Sequence, residues 1–275
     1  MIELPEAVCL SKQLKKTVVG KKIKKVIAAS SPHKFAWYCG NPEDYDPLLK
    51  GKIISDAYNT GGMVEMCAGN MRIVLSEGVN IRVFEPGAKR PKKHQLLIEF
   101  DDGFVLTGGI QMYGGLCCFK AGTYDNEYYL VAQQKPTPFS KEFKKKYFTE
   151  LISDPALEKV SVKALLATEQ RIPGLGNGVL QDILFNAKLH PKRKKNTLTA
   201  SDISILFSAI KSTLKEMVSG GGRDTEKDIY GNPGGYKTKM SKNTNGLPCD
   251  ECGSTIKKSS YMGGSVYFCP DCQEE

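Results

Sequence analysis

Four cysteines near the end of the chain stand as two Cys-x-x-Cys pairs, Cys249 with Cys252 and Cys269 with Cys272, separated by 16 residues. Each pair places two thiolates on one tight turn. Two such knuckles supply the four soft ligands of a tetrahedral zinc site, with bonds of about 2.3 Å. Gly253 and Pro270 sit where tight turns require them, and Thr255–Lys258 and Val266–Phe268 read as the arms of a β-hairpin around Gly263-Gly264. With four thiolates no coordination position stays open, so one structural zinc per chain is expected and a catalytic metal is not. A redox dithiol would need only one pair and a thioredoxin-like setting. The other five cysteines, Cys9, Cys39, Cys67, Cys117 and Cys118, show no pairing pattern. They are expected to be buried, reduced thiols.

The second chemical signal is the stretch from Gln170 to Pro191. Gly174 and Gly176 permit a close turn, and Asn177 opens a helix whose first N–H groups can hold a phosphate. An ordinary helix–turn–helix packing joint uses the same residues. The charge distribution favours a polyanion: the net charge is +9 and the pI near 9.0. The cations gather in Lys12–Lys25, Lys89–Lys93, Lys141–Lys146 and Lys192–Lys195. Any one cluster reads as a solvated face; four of them suit a protein that touches one nucleic acid through more than one domain.

The elements that must position these residues follow from composition and periodicity. At 275 residues, 40% hydrophobic and 25% charged, the chain is ordinary globular material, long enough for two compact domains. Mean hydropathy is −0.32 and no apolar run approaches the roughly 18 to 20 residues that span a bilayer. The start, Met1-Ile2-Glu3-Leu4-Pro5-Glu6, is acidic where a secretion signal is basic. A soluble, cytoplasmic protein is expected. Residues 3–18 have helical periodicity, with Leu4, Ala7, Val8, Leu14 and Val18 on one side. From 21 to 131 short β-type runs predominate, at 23–27, 71–75, 80–84, 96–100 and 104–106, with no helical segment between them. They predict an antiparallel sandwich or barrel. Beyond Pro136 and Pro138 the period becomes helical, over 140–152, 161–168, 177–188 and 201–218. Ser140, Ser161 and Thr199 are the expected N-caps, Glu142 lies in a first turn, and Gly220-Gly221-Gly222 closes the last helix.

Three features taken together resemble the formamidopyrimidine-DNA glycosylase and endonuclease VIII family. They are Glu3-Leu4-Pro5-Glu6 at the N-terminus, the glycine turn with Asn177, and the four-cysteine finger closing on Cys269-Pro-Asp-Cys-Gln273. The resemblance runs end to end in the same order. It implies an α+β architecture: an N-terminal β-sandwich domain (1–131), a helical helix–two-turn–helix domain (132–222) and a C-terminal segment (223–275) whose zinc finger spans 249–272. It implies a monomer that binds damaged double-stranded DNA in a groove between the domains. Gly174, Gly176 and Asn177 would grip a phosphate, and the finger hairpin, with Lys257, Lys258 and Gly264, would enter the minor groove beside the lesion. Glu3 would be the acid/base carboxylate, with Glu6 beside it. Taken alone, Glu3 is equally a helix N-terminal carboxylate facing the dipole.

The chain departs from the family where the chemistry is done. The family's nucleophilic amine belongs to a proline directly after Met1; here that residue is Ile2. A helper lysine falls at Gly62, and the arginine of the finger hairpin is replaced within Gly263-Gly264-Ser265-Val266. One branch of the family in animals uses a valine amine, so a non-proline start does not itself exclude catalysis. The expected activity is therefore cleavage of the N-glycosidic bond of a flipped oxidised base, with weak or absent strand cleavage. The nucleophile would be the Ile2 amine or a water activated by Glu3. A non-catalytic DNA-binding protein is the alternative. An RNA- or ribosome-associated zinc-ribbon protein would explain the charge but neither the glycine turn nor Glu3.

Overall fold

A computed structural model describes residues 1–274. By internal contacts these fall into two units, one formed by Met1–Gln133 with Glu226–Gly234, the other by Gln134–Thr225 with Gly235 onward. Among the described residues no helix is long and apolar enough to cross a membrane.

The first unit opens with helix α1 (Leu4–Thr17). Its buried stripe of Leu4, Ala7, Leu10 and Leu14 recurs at helical spacing, and the lysines of the last turn complement the dipole. Two sheets follow. One has the order β1 (Ile23–Ala28), β7 (Leu96–Phe100), β8 (Val105–Ile110), β6 (Val79–Phe84), all antiparallel. The other runs β2 (Ala36–Tyr38), β9 (Gly114–Lys120), β5 (Met71–Ser76), β4 (Met63–Ala68), β3 (Ile54–Thr60). Val79, Ile81 and Val83 from the first sheet and Val64, Met66, Ile73 and Leu75 from the second share one buried core with α1. This is the expected sandwich, with two differences. The β2–β9 pair is parallel rather than antiparallel, and a short helix, α2 (Tyr45–Leu49), lies among the strands. Tyr45 explains α2: its ring is 2% exposed, and its hydroxyl donates to the Leu116 carbonyl at 2.9 Å.

Strands β4 and β9 escape the sequence pattern because both faces are covered, which erases the period of two. Their outer cover is α3 (Glu127–Gln134) and the chain leading into it. The contact is anchored by Glu65, buried at 0% exposure. Its carboxylate accepts from the hydroxyls of Tyr58 (2.7 Å), Thr60 (2.8 Å) and Tyr129 (3.1 Å), and Arg72 lies 3.4 Å away. Filling the oxygens in this way offsets the cost of burying the carboxylate.

Two cysteine expectations are corrected. Cys39 and Cys117 form a disulfide rather than two reduced thiols. The reason lies in the unforeseen parallel pairing: Tyr38 is in register with Leu116, so the next residues along both strands, Cys39 and Cys117, come side by side. Cys9, Cys67 and Cys118 are buried and outside any disulfide, as expected.

The second unit is helical: α4 (Lys145–Leu151), α5 (Val162–Ala167), α6 (Asn177–Asn186) and α7 (Ala200–Ser219), followed by the hairpin β10 (Lys257–Tyr261) and β11 (Gly264–Phe268). Ser161 and Thr199 cap α5 and α7 through their hydroxyls. Ser140 does not cap α4, whose N-cap is Lys144, and Glu142 lies before the helix rather than in its first turn. The chain bends at Thr137–Ser140, and Phe143 is fully buried against Phe148 and Phe207 before the helix begins. The finger hairpin turns on Met262-Gly263, not on Gly263-Gly264: both turn residues have positive φ (50° and 71°), while Gly264 already pairs with Tyr261.

The disulfide is directly testable. Without reductant, a proteolytic digest should yield one crosslinked peptide pair containing Cys39 and Cys117. Cys39→Ser should lower unfolding free energy under the same conditions by about 2–4 kcal/mol. Recovery of both peptides as free thiols would contradict the assignment.

Candidate nucleic-acid and metal sites

The first unit gathers the N-terminal candidates. Ile2 is 8% exposed and belongs to the sandwich core, and its backbone N–H donates to the Glu77 carbonyl at 2.5 Å. Glu3, 5% exposed, is the N-cap of α1. A capping box joins it to Glu6: the Glu3 carboxylate accepts the Glu6 backbone N–H, and the Glu6 carboxylate accepts the Glu3 N–H at 3.3 Å. The Met1 ammonium is drawn away to the Glu226 carboxylate, 2.5 Å distant, on the segment that returns to this unit. The three predicted residues Ile2, Glu3 and Glu6 are thus together, but the free amine is on Met1. Gly62 lies in the tight turn between β3 and β4, where no side chain replaces the lysine.

Two further residues join this cluster without having been read from the sequence. Glu77 sits between β5 and β6 at φ 58°, a conformation costly for a residue with a side chain. Burial raises its carboxyl pKa above the usual carboxylate range, and its Oε2 finds no hydrogen-bond partner among the described residues. Tyr113 stands beside it. Its phenol is raised first by burial and then by the carboxylates of Glu77 and Glu3. Gly78 fixes this approach: its N–H donates to the Tyr113 carbonyl at 3.0 Å, and a Cβ there would come within 2.3 Å of that oxygen. The only sequence signal was a Glu-Gly pair between two β-runs, which reads as a plain turn. Glu3 and Glu77 beside the Tyr113 phenol, with Glu6 tied to Glu3, are groups that can exchange protons with a bound substrate and activate water.

In the second unit the glycine turn and the finger hairpin come together. Gly174 has φ 80°, Gly176 is the N-cap of α6, and Asn177 is its first residue. Asn177 Nδ2 donates to the Ser265 carbonyl at 3.0 Å, and Gln181 Nε2, one turn on, donates to the same oxygen at 3.1 Å. Gln181 Oε1 accepts the Tyr267 N–H at 3.1 Å, so one side chain reads two peptide groups of β11. Asn177 Oδ1 is buried and accepts no hydrogen bond among the described residues. Gly264 faces the same place: a Cβ on it would lie 3.5 Å from both Asn177 Nδ2 and Lys163 Nζ. Lys163 was not foreseen. It is 5% exposed, its pKa is lowered by burial, and it donates to the Tyr261 carbonyl at 2.5 Å. Lys257 and Lys258 do not join this group. The register pairs them with Phe268 and Tyr267, at the far end of the hairpin, where both are exposed.

The four cysteines converge, with all sulfurs within 4.8 Å of one another. Cys252 and Cys269 are 3.3 Å apart and Cys249 and Cys272 3.9 Å. A tetrahedron with bonds of about 2.3 Å has edges of roughly 3.8 Å, so the set can hold one metal ion. Gln273, 1% exposed, secures the second knuckle to the helices: Oε1 accepts the Cys269 N–H at 3.0 Å and Nε2 donates to the Leu189 carbonyl at 2.9 Å.

The chain is similar to known proteins over nearly its whole length. Residues 135–228 match the formamidopyrimidine-DNA glycosylase H2TH domain. A formamidopyrimidine-DNA glycosylase of Bacillus cereus is 28% identical over 281 residues, covering 99% of both chains. One from Symbiobacterium thermophilum is 29% identical over 279 residues, covering 99% of this chain and 89% of that one. Among solved structures, Lactococcus lactis FPG (MutM) with FAPY-dG-containing DNA superposes with a TM-score of 0.83 at 26% identity. A MutM complex with carbocyclic 8-oxo-G-containing DNA gives 0.82 at 26%. Each alignment covers 99% of this chain and 100% of the other.

The buried Glu77 carboxyl generates a pH-dependent expectation. Its raised pKa means that the folded state disfavours the ionised form, so it costs stability once ionised and nothing when protonated. Glu77→Gln should therefore melt at a higher temperature than the parent at neutral pH. The gain should shrink as pH falls toward the ordinary carboxylate value of 4.5. A gain independent of pH in thermal melts would assign the effect to something other than charge.

Proposed function

We propose that the chain is a base-excision repair DNA glycosylase of the formamidopyrimidine-DNA glycosylase and endonuclease VIII family, a reading supported by the domain match and the similar proteins. It binds damaged double-stranded DNA, turns an oxidised base out of the stack and cleaves the N-glycosidic bond, with weak or absent strand cleavage. The observation that carries this reading is the N-terminal cluster. A buried Glu3 stands with Tyr113 and Glu77, while the nitrogen of Ile2 is a peptide amide already donating to Glu77. A lyase needs a neutral amine in attack position to form an imine with the sugar. The free amine is one residue earlier, about 3.8 Å along the chain, and paired with Glu226. Water activated by Glu3 as general base can hydrolyse the glycosidic bond without an imine.

The remaining residues bind. Asn177 and the Gly174–Gly176 turn take a phosphate of the damaged strand at the N-terminus of α6. The hairpin with Gly264, Lys257 and Lys258 enters the minor groove. Cys249, Cys252, Cys269 and Cys272 hold one zinc ion, whose role is to fix the knuckles that carry the hairpin; four thiolates leave it no open position. A second reading, a DNA-binding protein without catalysis, draws on one observation: the Glu3 carboxylate is engaged in the capping box.

Excision assays on duplexes containing FAPY-dG or 8-oxo-G separate the readings. Base release abolished by Glu3→Gln, with DNA affinity retained, is the expected result. Tight binding with no base release by the parent would favour the non-catalytic protein. Asn177→Ala should weaken duplex binding by roughly 1–3 kcal/mol, and affinity should fall steeply with salt. Unchanged affinity in that variant would place the DNA face elsewhere.

Metal analysis should find one zinc per chain. Its removal by a chelator should abolish DNA binding while leaving the sandwich folded, as read by near-ultraviolet circular dichroism of its aromatic residues. Stoichiometric absence of zinc in freshly purified protein would contradict the finger.

A further inference from the structure

A cleft of about 940 Å³ opens beside β2 and β9, with the Cys39–Cys117 disulfide in its wall. Its two sulfurs are unequally placed. Cys39 is half-buried, whereas Cys117 is 6% exposed. A thiolate entering the cleft therefore meets Cys39 first and leaves Cys117 as the departing sulfur.

The departing side is provided for. The Tyr124 hydroxyl stands 3.6 Å from Cys117 Sγ, and its ring is stacked on Phe119 at 4.4 Å. Burial, and then the carboxylates of Asp125 and Glu77, raise this phenol above its usual pKa, so it keeps the proton it offers. Cys118 stays out of the exchange: it lies in the sandwich core, and burial pushes its thiol up to about 12.

Reclosure is provided for as well. The buried Tyr45 hydroxyl accepts the Cys39 N–H at 3.0 Å and donates to the Leu116 carbonyl at 2.9 Å. Together with the β2–β9 pairing, it keeps the two cysteines adjacent when no bond joins them. Charge selects the thiol. Lys52 and Lys120 line the cleft opposite in sign to Asp44 and Asp125, a set that complements a molecule bearing both carboxylates and an ammonium.

We propose that the cleft takes a small thiol peptide with carboxylates and an ammonium, and that the Cys39–Cys117 disulfide exchanges with it reversibly. The peptide thiolate forms a bond to Cys39 Sγ as the Cys39–Cys117 bond breaks, and the electron pair leaves on Cys117, which takes up a proton. A second peptide thiol attacks the peptide sulfur of this mixed disulfide and releases Cys39. Two thiols are thereby oxidised to one small disulfide while the protein disulfide is reduced to two thiols, and the oxidised peptide drives the reverse. The exchange requires no DNA.

Full-length protein is equilibrated with defined ratios of reduced and oxidised glutathione, trapped with N-ethylmaleimide and mapped by digestion. The crosslink should open and reclose with the ratio, and the trapped intermediate should carry glutathione on Cys39 and maleimide on Cys117. Tyr124→Phe, which keeps the ring, should slow opening roughly tenfold with thermal melting unchanged. Lys52→Ala combined with Lys120→Ala should slow opening by glutathione roughly threefold, while uncharged mercaptoethanol opens parent and variant alike. A crosslink that survives reduced glutathione until the chain unfolds would make the disulfide purely structural and overturn the proposal. Glutathione mapped to Cys117, or opening by glutathione that is indifferent to the two lysines, would overturn it too.

Discussion

The hydrogen bond from the Ile2 backbone N–H to the Glu77 carbonyl is the constraint on which the N-terminal cluster depends. It pins the second residue of the chain to the turn between β5 and β6, and the Ile2 side chain completes the anchor by entering the sandwich core. Once Ile2 is fixed, Glu3 must be the N-cap of α1 and Glu6 must return to it. The carboxylates are held by the start of the helix rather than by a dedicated loop. The same bond requires the turn to bring its carbonyl inward, consistent with the positive φ of Glu77 and with Gly78, where no side chain fits against Tyr113. Met1 is left outside, and its ammonium meets Glu226. The backbone nitrogen and side chain of residue 2 are both used for packing.

The second unit obeys a different constraint. Gln181 bonds to two peptide groups of β11 through both ends of its amide, and Asn177 shares one of them. The hairpin is thereby registered on α6 before any ligand arrives, and the cysteine knuckles, tied to the helices through Gln273, hold its base. Gly264 leaves open the space above Asn177 and Lys163. A cation from α5, Lys163, borders that space.

Much of this was legible in the residues, and the reasons for the rest are physical. The cysteine spacing, the glycine turn and the caps Ser161 and Thr199 are local devices whose meaning survives without tertiary context. Glu77, Tyr113, Lys163 and Gln181 have no local signature. Each acquires its role only when distant segments meet, as when residues 78 and 113 exchange a backbone hydrogen bond. Strands β4 and β9 were hidden because α3 and the chain before it bury their second face. The Cys39–Cys117 disulfide was hidden because it follows from a parallel pairing that no spacing along the chain reveals.

The amine that an imine would need is displaced and occupied, so under the proposed function any excision proceeds through water. Borohydride trapping of the full-length protein on an abasic-site duplex, read by intact mass, tests it most directly. The expected result is a protein mass that retains Met1 and no covalent protein–DNA adduct above background, under conditions where the duplex is bound. Efficient trapping, with the adduct mapped to the N-terminal nitrogen, would contradict it.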